Sequence, residues 1–211
     1  MRFFRPSLLT RWFLPGVLTR VRTGDRLLWL TFDDGPDPVS TPHLLEILRS
    51  HDIRAAFFCS GKAAERYPGL MTDIRSEGHI VGNHGYDHID GWRTSAKEYI
   101  NNVERAVPFT SGWLFRPPYG HMTPGQYRAL SQKFRIILWD IMPYDFDDTL
   151  RPARSLQILM SGIRNGSTIV LHDLPGSSVH GFLNEFIARS LDNGYRFIPV
   201  PEMLSGHSNV S

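Results

Sequence analysis

Disulfides, dense basic patches and long apolar stretches are all missing from this sequence. It contains a single cysteine, Cys59, so no disulfide can form within the chain. The apolar setting AAFFCS predicts an inert thiol in a buried strand. The net charge of +2 is too small for a nucleic-acid track, and we expect no nucleic-acid partner. No uninterrupted apolar run approaches the roughly 18 residues that a membrane-spanning helix needs.

The first 25 residues combine basic and aromatic side chains. Arg11 and Pro15 interrupt their apolar stretch, and no small-residue cleavage site follows, so they do not resemble a signal peptide. We expect residues 1–25 to form an extension that packs on the fold or lies on a membrane surface. Pro6 and Pro15 favour packing, because they argue against one long helix. The expected location is the cytoplasm or the membrane periphery of a bacterial-type protein.

Apolar strands alternate with amphipathic helices about seven times over residues 26–204, which we take as a single domain. Several strands are apolar on both faces, which predicts a parallel sheet covered by helices. Length and repeat number favour a closed or nearly closed β/α barrel over an open sheet. Thr41 and Ser95 are predicted N-caps of helices, and Gly166 is predicted to end a helix.

Polar residues fall where predicted strands end. In a β/α barrel these ends share one mouth, where chemistry gathers. Five segments of the chain place polar residues at such strand ends. Each placement has an ordinary structural explanation on its own, but chance is a poor explanation for all five together. The five segments carry Asp33 and Asp34 after the first strand, His84 and His88 after the third, Arg116 and Tyr119 after the fourth, Asp145 beyond the fifth, and His172 and Asp173 at the end of the sixth.

A metal site is one interpretation of the sequence NHGYDH. His84 and His88 lie four residues apart and can face one cation, although such pairs also arise by chance on protein surfaces. A carboxylate from a distant segment would leave open positions for water and substrate, and Asp34 is the candidate. Its neighbour Asp33 points another way along an extended chain, which leaves it available to accept a proton.

His172 and the loop FRPPYG each have two interpretations. As an imidazolium, His172 could donate a proton to a leaving amine; otherwise it is a core histidine bonded to backbone. Arg116 could pair with a catalytic carboxylate while a backbone N–H near Tyr119 faces an oxyanion. Otherwise FRPPYG is a surface turn.

The motifs TFDDGP, HxxxH, RPPYG, an Asp followed by an aromatic residue after an apolar strand, and IVLHD occur in that order. As a set they resemble the polysaccharide deacetylase family, also called the NodB-homology domain or carbohydrate esterase family 4. The resemblance covers about residues 28–200. It implies a distorted (β/α)7 barrel and metal-dependent hydrolysis of acetyl groups, usually N-acetyl groups of amino sugars, through a metal-activated water.

The resemblance also implies a role for each residue of the cluster. The metal would be a divalent transition ion, most often zinc, with cobalt or nickel as alternatives. The implied roles are Asp33 as general base, Arg116 as the residue that orients it, Asp34, His84 and His88 as metal ligands, the Tyr119 N–H as oxyanion donor, His172 as general acid and Asp145 as the partner that tunes it.

Four positions depart from the family pattern. Gly85 replaces a Ser or Thr, Met142 a frequent Asp, Phe146 a Trp and Ile169 a Leu. None removes a ligand or a catalytic group, so we predict an active enzyme with an atypical carbohydrate or glycoconjugate substrate. Two alternatives remain: a hydrolase of a small non-sugar amide on the same barrel, and a catalytically silent sugar-binding module.

Overall fold

Seven parallel strands with helices packed against them make up the fold in a computed structural model that describes Arg5 and residues 16–199. The strands are β1 (Leu27–Asp34), β2 (Ala56–Cys59), β3 (Ile80–Asn83), β4 (Leu114–Phe115), β5 (Arg135–Ile136), β6 (Ser167–His172) and β7 (Arg196–Phe197). The helices are α1 (Ser40–Ser50), α2 (Gly61–Arg66), α3 (Pro68–Ser76), α4 (Ala96–Ala106), α5 (Pro124–Leu130), α6 (Pro152–Gly162) and α7 (Leu183–Asp192). No helix among these is long and apolar enough to cross a bilayer.

The sheet curls into a distorted barrel, which confirms the predicted fold class. Its strand order is β5-β4-β3-β2-β1-β6, and β7 pairs with the start of β1. The segment after β5 closes the ring against β6. There the Asp140 N–H donates to Thr168 O at 2.9 Å, and Ile141 forms a parallel bridge with Ile169.

The two faces of β1 show how the barrel is filled. Successive side chains of a strand point to opposite faces. Leu28, Leu30 and Phe32 pack outward in the core shared with the helices, whereas Trp29 packs in the inner cluster with Phe58. Thr31 and Asp33 lie on the same face as Trp29, so the inner face of β1 turns polar as the strand approaches its carboxyl end.

The strand register places the site residues at one level. Asp33 pairs with His172 across β1 and β6, and Asp34 pairs with Cys59 of β2. Cys59 in turn pairs with Asn83 of β3, and Asn83 with Phe115 of β4. His84 and Arg116 directly follow Asn83 and Phe115, and therefore lie at the same mouth as the two aspartates.

Three local predictions differ from the structure. The apolar sequence FRIILWD predicts a strand over residues 134–140, but only Arg135–Ile136 form β5, because the following residues leave β4 to close the ring against β6. Thr41 lies inside α1, whose first free N–H groups at Val39 and Ser40 are bound by the Asp37 carboxylate instead. Helix α6 ends at Gly162 rather than Gly166. Ser95 caps α4 as predicted, accepting from the Glu98 N–H.

Most of the predicted N-terminal extension, residues 1–4 and 6–15, lies outside the described residues. The described part contacts the amino-terminal side of the barrel. Leu18 bridges Ile137, and the Val21 N–H donates to Gly166 O at 3.0 Å. Arg5 forms an ion pair with Asp140 at 2.6 Å.

Gly166 offers a test of the contact between Val21 and the barrel. Its φ is +76°, and a Cβ atom there would lie 1.8 Å from the Val21 carbonyl oxygen. We expect Gly166→Ala to lower the free energy of unfolding by about 1–2 kcal/mol or more, because both strain and a backbone clash arise. Urea unfolding would measure this.

Gly176→Ala is the matched control, because Gly176 is exposed, has no neighbouring atom within 4 Å and does not have a positive φ. We expect its effect to stay within about 0.5 kcal/mol. Equal unfolding midpoints for the two variants would show that residues 16–23 do not pack against the barrel as described.

Candidate active site

Asp34, His84 and His88 converge on one point at the mouth of the barrel. Asp34 Oδ1 lies 3.5 Å from His84 Nε2 and 3.1 Å from His88 Nε2. One ligand atom from each of the three residues lies within 4.8 Å of the other two. Asp34 Oδ1 is buried but accepts no hydrogen bond of acceptable geometry. A buried carboxylate oxygen of this kind needs a partner, and a cation between the three atoms would satisfy it.

The tautomer of His84 suits a metal ligand. Its Nδ1 lies 2.8 Å from the Arg116 carbonyl oxygen, which can only accept, so Nδ1 carries the hydrogen. The lone pair is then on Nε2, the nitrogen that faces Asp34. Burial lowers the pKa of His84 to about 4, which keeps the imidazole neutral at physiological pH.

Asp34 is ionised for a different reason. Burial by itself raises the pKa of a carboxyl group, but the nearby side chains of His88, His84 and His172 outweigh this effect. The pKa of Asp34 is therefore held well below its usual range. The anionic Asp34 Oδ1 and the neutral Nε2 of His84 form a donor set with His88 Nε2, which lies 3.1 Å from Asp34 Oδ1. This set fits a divalent transition ion.

Asp33 lies beside this cluster and is held from below by Arg116. Arg116 is fully buried in the barrel, and its Nη1 donates to Asp33 Oδ1 at 2.5 Å and to Thr31 Oγ1 at 2.7 Å. The guanidinium lies 4.0 Å from the centre of the Phe58 ring. The second oxygen, Asp33 Oδ2, lies 3.8 Å from His84 Nε2. Arg116 thus engages one oxygen of Asp33 and leaves the other on the metal side.

His172 forms a second charged pair across the mouth. Its Nδ1 lies 2.9 Å from Asp145 Oδ1, and its backbone N–H donates to Asp145 Oδ2 at 2.8 Å. Ser177 Oγ donates to the same oxygen at 2.7 Å. Burial alone lowers the pKa of His172, but the charge and hydrogen bond of Asp145, with smaller contributions from Asp34 and Asp33, raise it to about 9. His172 is therefore protonated at neutral pH.

The loop after β4 carries Tyr119. Its backbone adopts φ 58° in a short turn between Pro117 and Gly120, where the Gly120 N–H donates to Pro117 O at 2.9 Å. The Tyr119 ring is exposed, and its centre lies 4.6 Å from that of His88. The structure thus places Tyr119, as predicted, beside the cluster of Asp34, His84 and His88. A role for its N–H remains a prediction.

One cavity of about 410 Å³ joins these groups. Much of its remaining wall was not predicted, because no sequence motif marks apolar residues that line a site. The exceptions are Pro117 and Gly120 of the motif RPPYG, Met142, and Phe146 as the aromatic residue after Asp145. The Phe146 ring packs edge-on against His172, with 4.6 Å between the ring centres. The further wall residues are His121, Trp139, Tyr144 and Leu174.

Gly85, which replaces a hydroxyl residue of the family pattern, lies in a well-bonded loop. Its φ is +74°, and its N–H donates to Asn83 Oδ1 at 2.8 Å. Asn102 Oδ1 accepts from the N–H groups of Tyr86 and Asp87 at 2.8 and 3.2 Å. Asparagine side chains therefore hold the segment between the two histidines.

Comparisons with known proteins identify similar chains. A family model described as polysaccharide deacetylase matches residues 20–134. A peptidoglycan-N-acetylglucosamine deacetylase of Bacillus cereus is 33% identical over 184 residues, which are 82% of this chain and 66% of the relative. A chitooligosaccharide deacetylase of Azorhizobium caulinodans is 30% identical over 166 residues, or 75% and 79% of the two chains. The solved structure of the Bc1960 peptidoglycan N-acetylglucosamine deacetylase superposes with a TM-score of 0.84 at 29% identity, covering 89% and 92%.

The buried pair of Arg116 and Asp33 yields a stability prediction. Arg116→Leu leaves the Asp33 carboxylate without its partner, and we expect a loss of about 3–5 kcal/mol in the free energy of unfolding. Adding Asp33→Asn removes the stranded charge, so the double variant should regain part of that loss. Denaturant unfolding of Arg116→Leu, of Asp33→Asn and of the double variant measures the two single effects and their combination.

Arg128→Leu is the control, because Arg128 is exposed on α5, and its effect should stay within about 0.5 kcal/mol. A double variant that is destabilised by the sum of the two single effects would contradict a direct interaction between Arg116 and Asp33.

Proposed function

The chain belongs to the polysaccharide deacetylase family, and we propose that it hydrolyses acetyl groups, with N-acetyl as the first candidate, of an amino-sugar-containing carbohydrate or glycoconjugate. The observation that carries the proposal is the cavity itself. Within it, three candidate metal ligands share the wall with a carboxylate bound by arginine and an imidazolium bound by aspartate. Amide hydrolysis needs a Lewis acid, a proton acceptor and a proton donor around one carbonyl group, and this cavity offers all three.

Asp34, His84 and His88 are the proposed ligands of a divalent transition ion, with zinc as the first candidate. Such an ion supplies Lewis-acid chemistry, which polarises a carbonyl oxygen and lowers the pKa of water. The protein prepares for it by keeping Asp34 anionic and by directing the Nε2 lone pair of His84 toward the cluster. The neutral imidazole and the carboxylate oxygen favour a borderline ion such as zinc over magnesium.

Asp33 is the proposed general base. Its Oδ1 is engaged by Arg116, so its Oδ2, on the side of the metal cluster, takes the proton from the attacking water. Arg116 contacts neither water nor substrate in this scheme. It is a positioning residue that fixes the carboxylate, and the low exposure of both side chains keeps that geometry rigid.

His172 is the proposed general acid. Its Nδ1–H is bound to Asp145, so Nε2 is the nitrogen that donates its proton to the leaving amine. The water oxygen bonds to the acetyl carbon as Asp33 takes one of its protons, and the carbon–nitrogen bond then breaks as the leaving nitrogen takes the proton of His172 Nε2. The products are acetate and a free amino sugar. Loss of the proton from Asp33 to solvent and uptake of a proton by His172 restore the starting state of the site.

The remaining cavity wall suits an acetyl group. The apolar surfaces of Trp139, Met142 and Leu174 offer contacts for a methyl group. We assign to the Tyr119 N–H the role of donor to the developing oxyanion, supported by the loop that fixes it between two prolines and a glycine beside His88.

Acetate release tests the proposal. We expect metal-stripped protein to be inactive on N-acetylglucosamine oligomers and to regain activity with zinc or cobalt. Asp33→Asn should lower kcat by at least about 100-fold, because the base is lost, yet should still bind zinc in a calorimetric titration. His84→Ala should lose zinc affinity as well as activity.

His51→Ala is the control, since its Nε2 contacts Asn184 at 2.7 Å instead of the cluster; it should bind zinc and release acetate as the parent does. Zinc binding at the cluster without acetate release from any amino sugar would favour the small-amide hydrolase or the silent sugar-binding module.

The pairing of His172 with Asp145 predicts the pH profile. The acid must be protonated, so activity should fall as pH rises through the raised pKa of His172, about 9. Asp145→Asn removes the charge that raises this pKa. The basic limb of kcat/KM should then move to lower pH by about 1–3 units.

Asp148→Asn removes the same charge from an exposed position three residues away and should leave the basic limb in place. A limb that does not move in Asp145→Asn would exclude His172 as the acid.

A further inference from the structure

A row of neighbouring aromatic and imidazole rings leads from the cluster of Asp34, His84 and His88 to the surface. The Tyr119 ring lies 4.6 Å from His88 and 5.9 Å from His121, between centres. His121 stacks on Trp92 at 3.5 Å with an interplanar angle of 11°. Tyr119 and His121 line the cavity, whereas Trp92 lies beyond it. The row therefore continues the cavity outward along one side.

Trp92 presents a large apolar face to solvent. Its exposed fraction is 64%, the second highest among the large hydrophobic residues of the described chain. One face of the indole is covered by His121, so the exposure belongs mainly to the other face and the edge. An exposed indole of this size beside a polar cavity is typical of a binding surface rather than of core packing.

Hydrogen bonds fix the stacked side chains of Trp92 and His121, which together form the platform. Asp90 Oδ1 accepts from the Trp92 backbone N–H at 2.9 Å and lies 3.0 Å from His121 Nδ1. The buried Gln126 side chain donates to Gly91 O at 2.9 Å. A Cβ on Gly91 would lie 2.4 Å from His121 O, so glycine permits the close approach that places Trp92 over the imidazole. A ring fixed in this way loses little conformational entropy when a ligand binds.

We propose that the Trp92 face binds a second sugar ring of the same chain as the sugar being deacetylated. This inference rests on the proposed function, and it makes the substrate an oligosaccharide rather than a single amino sugar or a small amide. Sugar rings carry apolar C–H faces that pack on aromatic rings, while their hydroxyl groups stay in solvent at an exposed site. The row of rings gives a chain a path from the cavity at Tyr119 to Trp92.

The test compares chain lengths. Acetate release from N-acetylglucosamine oligomers of one to five sugars is measured with the zinc-loaded parent protein and Trp92→Ala. We expect KM for the longer oligomers to rise about two- to tenfold in Trp92→Ala, the size of one aromatic contact, while kcat stays unchanged. Values for the single sugar should not change. Trp92→Phe, which keeps an aromatic face, should recover most of the affinity.

Trp113→Ala is the matched control. Trp113 is also exposed, at 44%, but precedes β4 and so lies at the opposite end of the barrel from the site. It should behave as the parent at every chain length. An equal loss for all lengths in Trp92→Ala would mean that Trp92 only supports the metal loop, and no loss at any length would overturn the second sugar position.

A binding measurement separates this inference from the proposed function. Calorimetric titration of the same oligomers into zinc-loaded Asp33→Asn, with and without Trp92→Ala, reports affinity without turnover. Length-dependent binding that needs Trp92, found without acetate release by the parent, would retain the sugar platform and reject the deacetylase. Acetate release with binding that is independent of Trp92 would retain the deacetylase and reject the platform.

Discussion

The ion pair between Arg116 and Asp33 is the interaction on which the rest of the site depends. A guanidinium with no exposed surface is tolerated inside a barrel only when its donors are satisfied. Here they reach Asp33 and Thr31 on β1, and the carbonyl oxygens of Ile137 and Leu138 after β5, at 2.5–3.4 Å. One side chain thus links β4 to β1 and to the segment that closes the ring. Stability and the proposed base are coupled through it.

Arg116 also orients His84, one of the three candidate metal ligands. The Arg116 carbonyl accepts from Nδ1 of His84 and so exposes the Nε2 lone pair, while its guanidinium fixes Asp33. The two buried histidines then differ as the proposed chemistry requires. Burial lowers the pKa of His84 to about 4 and outweighs the charges of Asp33 and Asp34, whereas Asp145 raises the pKa of His172 to about 9. One imidazole offers a lone pair, and the other offers a proton.

Two of the four departures from the family pattern, Met142 and Phe146, lie in the wall of the cavity, and none of the four changes a charged group of the site. Phe146 contacts the His172 ring, and Met142 is an apolar wall residue where the family pattern frequently has a carboxylate. On the other side, Trp92 and His121 extend the wall toward solvent. The proposed catalytic groups therefore match the family pattern, whereas some of the side chains around them do not.

The sequence by itself determined the alternation of strands and helices, the barrel class and the groups that would meet at the mouth, because strand periodicity and strand ends are local properties. It missed the Asp37 cap of α1 and the early end of β5, which depend on contacts with distant segments. Only the tertiary structure decided that Arg116 lies inside the barrel under Asp33, and that Trp92 stacks on His121, 29 positions away in the chain. Such contacts depend on register and loop packing between segments, and no local pattern encodes the distance between two side chains.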